Sequence, residues 1–306
     1  MISLNGVKQN LRDNYPSVYQ SVYRFYQMTP HVKHRNAKRA EMDKEIRQKT
    51  YARYEYEVRI IKEYLNDDWT VRHGPFSGMK LAPPPSASLR TLYPLATCVI
   101  GCYESHLHHW INDAIAHGYD RIIDIGCAEG YYAVGFALKF PNVTVYAYDI
   151  DQRARENTAA LARRNGVENK VHVKAICTLD ELNREVSDRT LIFCDIEGSE
   201  LDLLRPDLAP VLSRADLIVE MHDDYCPGVT ETLARRFVPS HQVEIVYHGA
   251  KYPMEFSVLK AVPAKEHAWL LQEGRQRDQR WMRLLANRPG AVEPGKPYFL
   301  TPSLSL

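Results

Sequence analysis

Hydrophobic and polar positions divide this chain into a helical first third and a longer stretch where strands and helices alternate. Residues 9–27 put Tyr15, Tyr19, Tyr23 and Tyr26 on one helical face, widened by Val18, Val22 and Phe25. Such a stripe suits a core face or an oligomer seam better than a substrate shelf. Residues 35–66 read as one long charged helix with Tyr54, Val58, Ile61 and Leu65 on a face. Residues 72–94 are rich in Pro, Gly and Ser and mark a loop and boundary. From 119 to 261 short β-branched runs alternate with helical stretches. The expected strands are 121–126, 143–149, 170–176, 190–196, 215–222, 241–247 and 255–262, the last two as an antiparallel pair. Between them fall helices over 131–140, 152–166, 200–213 and 229–237. Thr178 with Glu181 forms a capping box, and Ser199 with Asp202 can cap the helix from 200. Residues 263–287 read as a final amphipathic helix before an extended tail. The pattern predicts an α/β, Rossmann-like, seven-stranded and mostly parallel sheet with helices on both faces, plus an N-terminal helical extension. The domain reading is an arm and linker over 1–90, a ligand-binding domain over 91–262, and a helix and tail over 263–306.

Composition narrows the class. Of 306 residues, 45% are hydrophobic and 25% charged, which excludes wholesale disorder and collagen-like structure. No apolar run approaches the ~20 residues of a membrane helix, and the first residues lack the apolar core of a secretory signal. Six cysteines without a C-x-x-C pair argue against a disulfide scaffold or zinc knuckle and suit a reducing cytoplasm. Residues 1–90 carry 16 Lys and Arg against 9 Asp and Glu, and the remainder 23 against 29. The basic third is either a solvated arm or a surface for an anionic partner such as a nucleotide-sugar, phosphosugar or nucleic acid. The acids interspersed there (Glu41, Asp43, Glu45, Glu55, Glu57) weaken the nucleic-acid version.

Open parallel sheets bind ligands beyond the carboxyl ends of their strands. After the first strand comes Asp124-Ile-Gly126-Cys-Ala128-Glu129-Gly130, whose glycines let backbone turn sharply beside a ligand. Asp149 ends the second strand, 19 residues past Gly130, where an acid accepts hydrogen bonds from ribose. Tyr131 after the loop, Ile150 after Asp149 and Ile176 at the third strand's end complete the expected cofactor contacts. A dinucleotide would require G-x-G-x-x-G for its pyrophosphate. Acids flanking this loop are poor neighbours for pyrophosphate and good ones for a cationic sulfonium, so S-adenosylmethionine fits better than NAD.

With these residues in place, the chain resembles a class I S-adenosylmethionine-dependent methyltransferase. Asp195-Ile-Glu197-Gly198-Ser-Glu200-Leu-Asp-Leu-Leu is similar to the signature segment of the FkbM-type branch. GPFSGMK (74–80) and IGCYESHL (100–107) also look like that branch. Ala128 departs from the commoner middle glycine at small expected cost. A second similarity is to macrocin-type sugar O-methyltransferases, whose acids after strands four and five bind magnesium. It implies Asp195, Asp223 and Asp224 as Mg²⁺ ligands here, although Ile196-Glu197 and His222 depart from that family's pattern. Apart from kinship, converging carboxylates repel unless protonated or bound to a hard cation. The competing reading makes Asp223 and Asp224 turn residues capping the helix at 229.

The resemblance implies O-methylation of a hydroxyl on a sugar, glycan or sugar-containing metabolite, with Asp195, Glu197 and His222 as catalytic candidates. His222 reads equally as a general base or as a strand-end histidine bonded to backbone. Glu200 reads as structural. His106, His108 and His109 do not share one helical face, which argues against a metal there. Tyr103 and Glu104 are expected near the cofactor cleft, and His248 and Tyr252 near substrate. The expected partner is a small-molecule or glycan acceptor, a nucleotide-sugar among the candidates, with homo-oligomerisation through the N-terminal helices. An RNA or protein methyltransferase using the basic arm for docking is the alternative, as is a binding module without chemistry.

Overall fold

In the computed structural model the alternating runs build one twisted sheet, and the chain ends of its parallel strands define a single functional edge. The structure describes residues 49, 51–82, 94–224, 226–274, 279–288 and the backbone of 298–299. The tyrosine stripe at 9–27, most of the basic arm, Tyr225 and most of the tail lie outside these residues. The chain forms two units, Met1–Glu55 with Leu89–Tyr93, and Tyr56–Ser88 with Pro94–Leu306. Of the first unit, residues 49 and 51–55 are described and are helical. Everything below concerns the second.

Its elements run α1 (Leu95–Ile100), α2 (His108–His117), β1 (Arg121–Ile125), α3 (Tyr131–Lys139), β2 (Thr144–Tyr148), α4 (Gln152–Arg164), β3 (Val171–Lys174), α5 (Leu179–Glu185), β4 (Thr190–Cys194), α6 (Glu200–Leu203), β5 (Asp216–Met221), α7 (Val229–Phe237), β6 (His241–Tyr247), α8 (Ala264–Leu270), β7 (Arg280–Ala286) and β8 (Tyr298–Phe299). The sheet order is β3-β2-β1-β4-β5-β7-β6-β8. Strands β1 to β5 are parallel, and β7 enters antiparallel between β5 and β6. Six of the seven expected strands form, residues 280–286 supply a seventh, and a two-residue eighth runs parallel to β6.

Three expectations are corrected. Residues 255–262 form two short 3-10 turns instead of a strand, and 263–287 is not one helix. The antiparallel partner of β6 is 280–286, so the sheet extends past residue 262. The sequence RWMRLLA alternates irregularly because β7 is covered on both faces, with Trp281, Met282 and Leu284 all buried. The expected helix over 200–213 is also broken, into α6 and a 3-10 turn at Pro210–Arg214, since Pro206 and Pro210 cannot sustain it.

Local chemistry explains the rest. Thr178 Oγ1 accepts from the Glu181 N–H at 3.2 Å, the expected cap of α5. Asp151 caps α4 through the Arg153 N–H at 2.8 Å. Ser199 makes no side-chain cap and faces a cleft instead. The segment 74–80 packs Phe76 against α3, edge-on to Tyr131, Tyr132 and Phe136 at centroid distances of 5.5, 5.9 and 5.3 Å. Gly135 permits this, because a Cβ there would sit 2.6 Å from the Phe76 ring. Among the described residues no helix is long and apolar enough to cross a membrane.

Candidate active site

Strand order reverses between β1 and β4, and there a cleft of about 470 Å³ opens beyond the strand ends. Gly126, Asp149, Ile150, Ile176, Asp195 and Glu197 all line it. Gly126 is dictated by close approach: a Cβ on it would lie 1.7 Å from the Asp195 carbonyl oxygen, and its φ is +86°. This glycine lets the β1 loop press against the end of β4.

Asp149 organises the loop as well as facing the cleft. Its Oδ2 accepts from the Ala128 N–H at 3.0 Å and its Oδ1 from the Asp151 N–H at 2.8 Å. Each carboxylate oxygen retains acceptor capacity for a ligand hydroxyl. Ile150 and Ile176 are 84% and 60% exposed, so both stand as bare apolar surfaces on the cleft rim. Ala128 has φ of +45°, so it carries strain that glycine at this place would avoid, contrary to the small cost expected from size alone.

Asp124, Glu129 and Tyr131, three expected cofactor contacts, do not line the cleft. Asp124 is buried and takes the Ala133 N–H near the start of α3. Burial pushes its carboxyl up to about 7, the Ala133 bond opposes this, and Asp149 adds to it. Tyr131 is buried, its ring 5.3 Å from Tyr103 and 5.5 Å from Phe76. Glu129 lies outside the cleft lining, and burial raises its pKa. Gly130 turns into α3 with φ of +86°.

The second half of the site surrounds His222, which is 6% exposed. Its Nδ1 lies 2.7 Å from Glu200 Oε1, and its Nε2 lies 3.5 Å from Asp195, 3.5 Å from Glu197 and 3.8 Å from Glu220. Burial disfavours the charged ring, but the Glu200 bond and the charges of Glu220, Glu200 and Glu197 outweigh it, and the pKa is raised. His222 is therefore bonded to a buried carboxylate rather than to backbone. Glu197 sits in the left-handed region at φ +54° with Gly198 at +103°, a conformation costly for glutamate and one that recurs at functional positions.

The three acids expected as magnesium ligands do not form one cluster among the described residues. Asp223 receives the N–H groups of Gly228 and Thr230 and the Thr230 hydroxyl, so it caps α7. Asp224 is exposed. Among the described residues the donors that converge, within 4.8 Å of one another, are Asp195, Glu220 and His222. A set containing an imidazole nitrogen does not fit Mg²⁺, which prefers oxygen alone. Glu220 was missed because it sits inside the apolar run ADLIVEMH, where nothing local marks one acid as functional. Glu200, expected to be structural, is the direct partner of His222.

Other candidates lie elsewhere. Glu104, at φ +46°, is buried against the Tyr132 hydroxyl rather than in the cleft. The His108 ring bonds the Tyr103 carbonyl, and His106 stacks edge-on to His248 at 5.2 Å. Tyr252 is exposed.

Residues 108–219 match the family model of ribosomal protein L11 methyltransferase. None of the curated proteins compared matches the chain. Similar solved structures include the O-methyltransferase TomG of Streptomyces achromogenes in complex with SAM (17% identity, 61% of this chain, 81% of that chain, TM-score 0.42). They also include an O-methyltransferase of Bacillus cereus in complex with SAH (16%, 57% and 77%, TM-score 0.39). An rRNA methylase of Streptococcus thermophilus is a third (13%, 60% and 96%, TM-score 0.41). The matched family model runs from the start of α2 into β5 and takes in the β1 loop, Asp149 and Asp195. The Rossmann-like sheet and the match of residues 108–219 to a methyltransferase family model support an S-adenosylmethionine-dependent methyltransferase.

Proposed function

We propose that this methyltransferase acts on a hydroxyl of a sugar, glycan or sugar-containing metabolite. The observation that carries the reading is the placement of Asp195 and Glu197 on the cleft wall with His222 directly behind them. Asp149 takes the ribose hydroxyls, Ile150 and Ile176 flank the adenine, and Gly126, Ala128 and Gly130 give the cofactor backbone to rest against. Buried Asp124 and Tyr131 flank that loop at its two ends, and Glu129 lies within it. The acids of the cleft favour the cationic sulfonium and repel pyrophosphate.

The acceptor hydroxyl donates a hydrogen bond to Asp195. S-adenosylmethionine bound in the cleft would supply the methyl group, and Asp195 would take the proton that the acceptor hydroxyl gives up as its oxygen is methylated. Holding donor and acceptor in line supplies most of the rate, because two bound reactants replace a bimolecular encounter. Glu197 shares the acceptor's hydroxyls, and protonated His222 keeps the two carboxylates together. Mg²⁺ has no step in this reading, since Asp223 is taken up by α7.

A second reading, methylation of a protein, is favoured by the match to a ribosomal-protein methyltransferase model. Incubation with methyl-tritiated S-adenosylmethionine and separate pools of glycans, nucleotide-sugars and ribosomal proteins distinguishes the two. Base-stable label on a carbohydrate hydroxyl is expected, and label confined to protein would replace the sugar reading.

A further inference from the structure

Glu200 stands out because a buried carboxylate is expensive unless its bonds are needed. It is fully buried at the first position of α6, and its Oε2 has no hydrogen-bond partner. All of its observed side-chain bonding goes through Oε1, which accepts from the Gly198 N–H at 3.1 Å and faces His222 Nδ1 at 2.7 Å. One oxygen thus ties two parts of the site. The first is the left-handed Glu197-Gly198 turn, which carries Glu197 to the cleft. The second is the imidazole at the end of β5, whose far nitrogen lies 3.5 Å from both Asp195 and Glu197. A hydrophobic side chain would fill the same volume at less cost in folding energy, so the carboxylate's value lies in geometry rather than stability.

We propose that Glu200 is the positioning residue of the transfer site: it keeps a proton on His222 Nδ1, turns the Nε2–H of the protonated ring toward Asp195 and Glu197, and holds the turn that presents Glu197. This rests on the methyl-transfer reading above for its catalytic consequence, but not for its structural one. Carboxylate–imidazole pairs of this kind set ring orientation and tautomer wherever they occur. Glu200 touches none of the residues that line the adenosine half of the cleft in its observed bonds, so its effect should fall on turnover and not on cofactor affinity.

The test has two arms. In the first, ¹⁵N-histidine spectra of the cofactor-free protein report which ring nitrogen of His222 is protonated, with His222→Gln providing the assignment. The wild-type ring should carry its proton on Nδ1 whether neutral or charged, and Glu200→Gln should lose that preference. In the second, Glu200→Gln should lower kcat at least tenfold while the Kd for S-adenosylmethionine changes less than twofold. Combining Glu200→Gln with His222→Gln should cost no more than His222→Gln alone. A wild-type ring protonated only on Nε2 overturns the proposal without any variant having to fold. So does a Glu200→Gln enzyme with full kcat, or strictly additive losses. If no acceptor is turned over at all, the methyl-transfer reading fails while the ring spectrum still decides the role of Glu200.

Discussion

The two ends of the sheet both carry cavities lined by charge, and they use that charge in opposite ways. At the amino ends of β4 and β5 a pocket of about 250 Å³ is bordered by Trp110, Asp216, Arg283 and Arg288. Here the charges close on one another. Asp216 accepts from the Tyr119 hydroxyl at 2.6 Å, the Ala286 N–H at 2.8 Å and Arg288 at 3.0 Å. Arg283 pairs with Asp113 at 2.8 Å and with Glu244, its guanidinium 5.2 Å from the Trp110 ring. At the carboxyl ends the larger cleft is lined by Asp149, Asp195, Glu197 and Asp202, with no Lys or Arg among its described lining. Left-handed Ala128 and Glu197 belong to that end as well. Satisfied charge on relaxed backbone stabilises a fold, while surplus like charge on strained backbone is kept for a ligand.

The contrast can be broken most forcefully at Gly126. Gly126→Ala drives a Cβ into the Asp195 carbonyl oxygen, and S-adenosylmethionine affinity should fall more than 100-fold, about 2.7 kcal/mol. Calorimetry checks it, with circular dichroism confirming that the variant folds. At the opposite end Asp216→Ala should cost about 3 kcal/mol of unfolding free energy, because it strands Arg288 and the Ala286 N–H. Urea titration measures that loss, and cofactor affinity should stay within twofold of wild type. An equal loss of binding would show that the two ends are not separate.

A smaller effect concerns pH. Asp124 has its folded pKa raised from 3.8 to about 7 by burial. Between those values the native state binds the extra proton, so stability is greatest at low pH and declines as pH rises through the folded pKa. The cofactor-free protein should lose on the order of 2 kcal/mol between pH 5 and 8 from this group, and Asp124→Asn should flatten that part of the curve. Parallel slopes for the two proteins would show Asp124 ionised in the folded state.

The carboxyl end was the more legible of the two from sequence. Glycine spacing and an acid at the end of the second strand are local signals, so Gly126 and Asp149 could be named before any fold was known. The partners of His222 could not. Glu200 is the first residue of a four-residue helix and Glu220 lies inside an apolar strand, and only the pairing of β4 with β5 brings them together. Asp223 and Asp224 left two readings open for the same reason: two adjacent acids after a strand look alike whether they hold a cation or cap a helix, and Asp223 bonds to the start of α7. Strand β7 was read as helix because a strand buried on both faces shows no clean alternation.

The claim that the carboxyl-end cleft is the cofactor site is tested most directly by one calorimetric comparison of wild type, Asp149→Ala and Asp216→Ala titrated with S-adenosylmethionine. Wild type should bind at one site, Asp216→Ala should match it, and Asp149→Ala should be at least tenfold weaker, about 1.4 kcal/mol, as expected for loss of charge-assisted bonds. Unchanged affinity in Asp149→Ala, or wild-type binding of NAD in place of S-adenosylmethionine, would contradict the account.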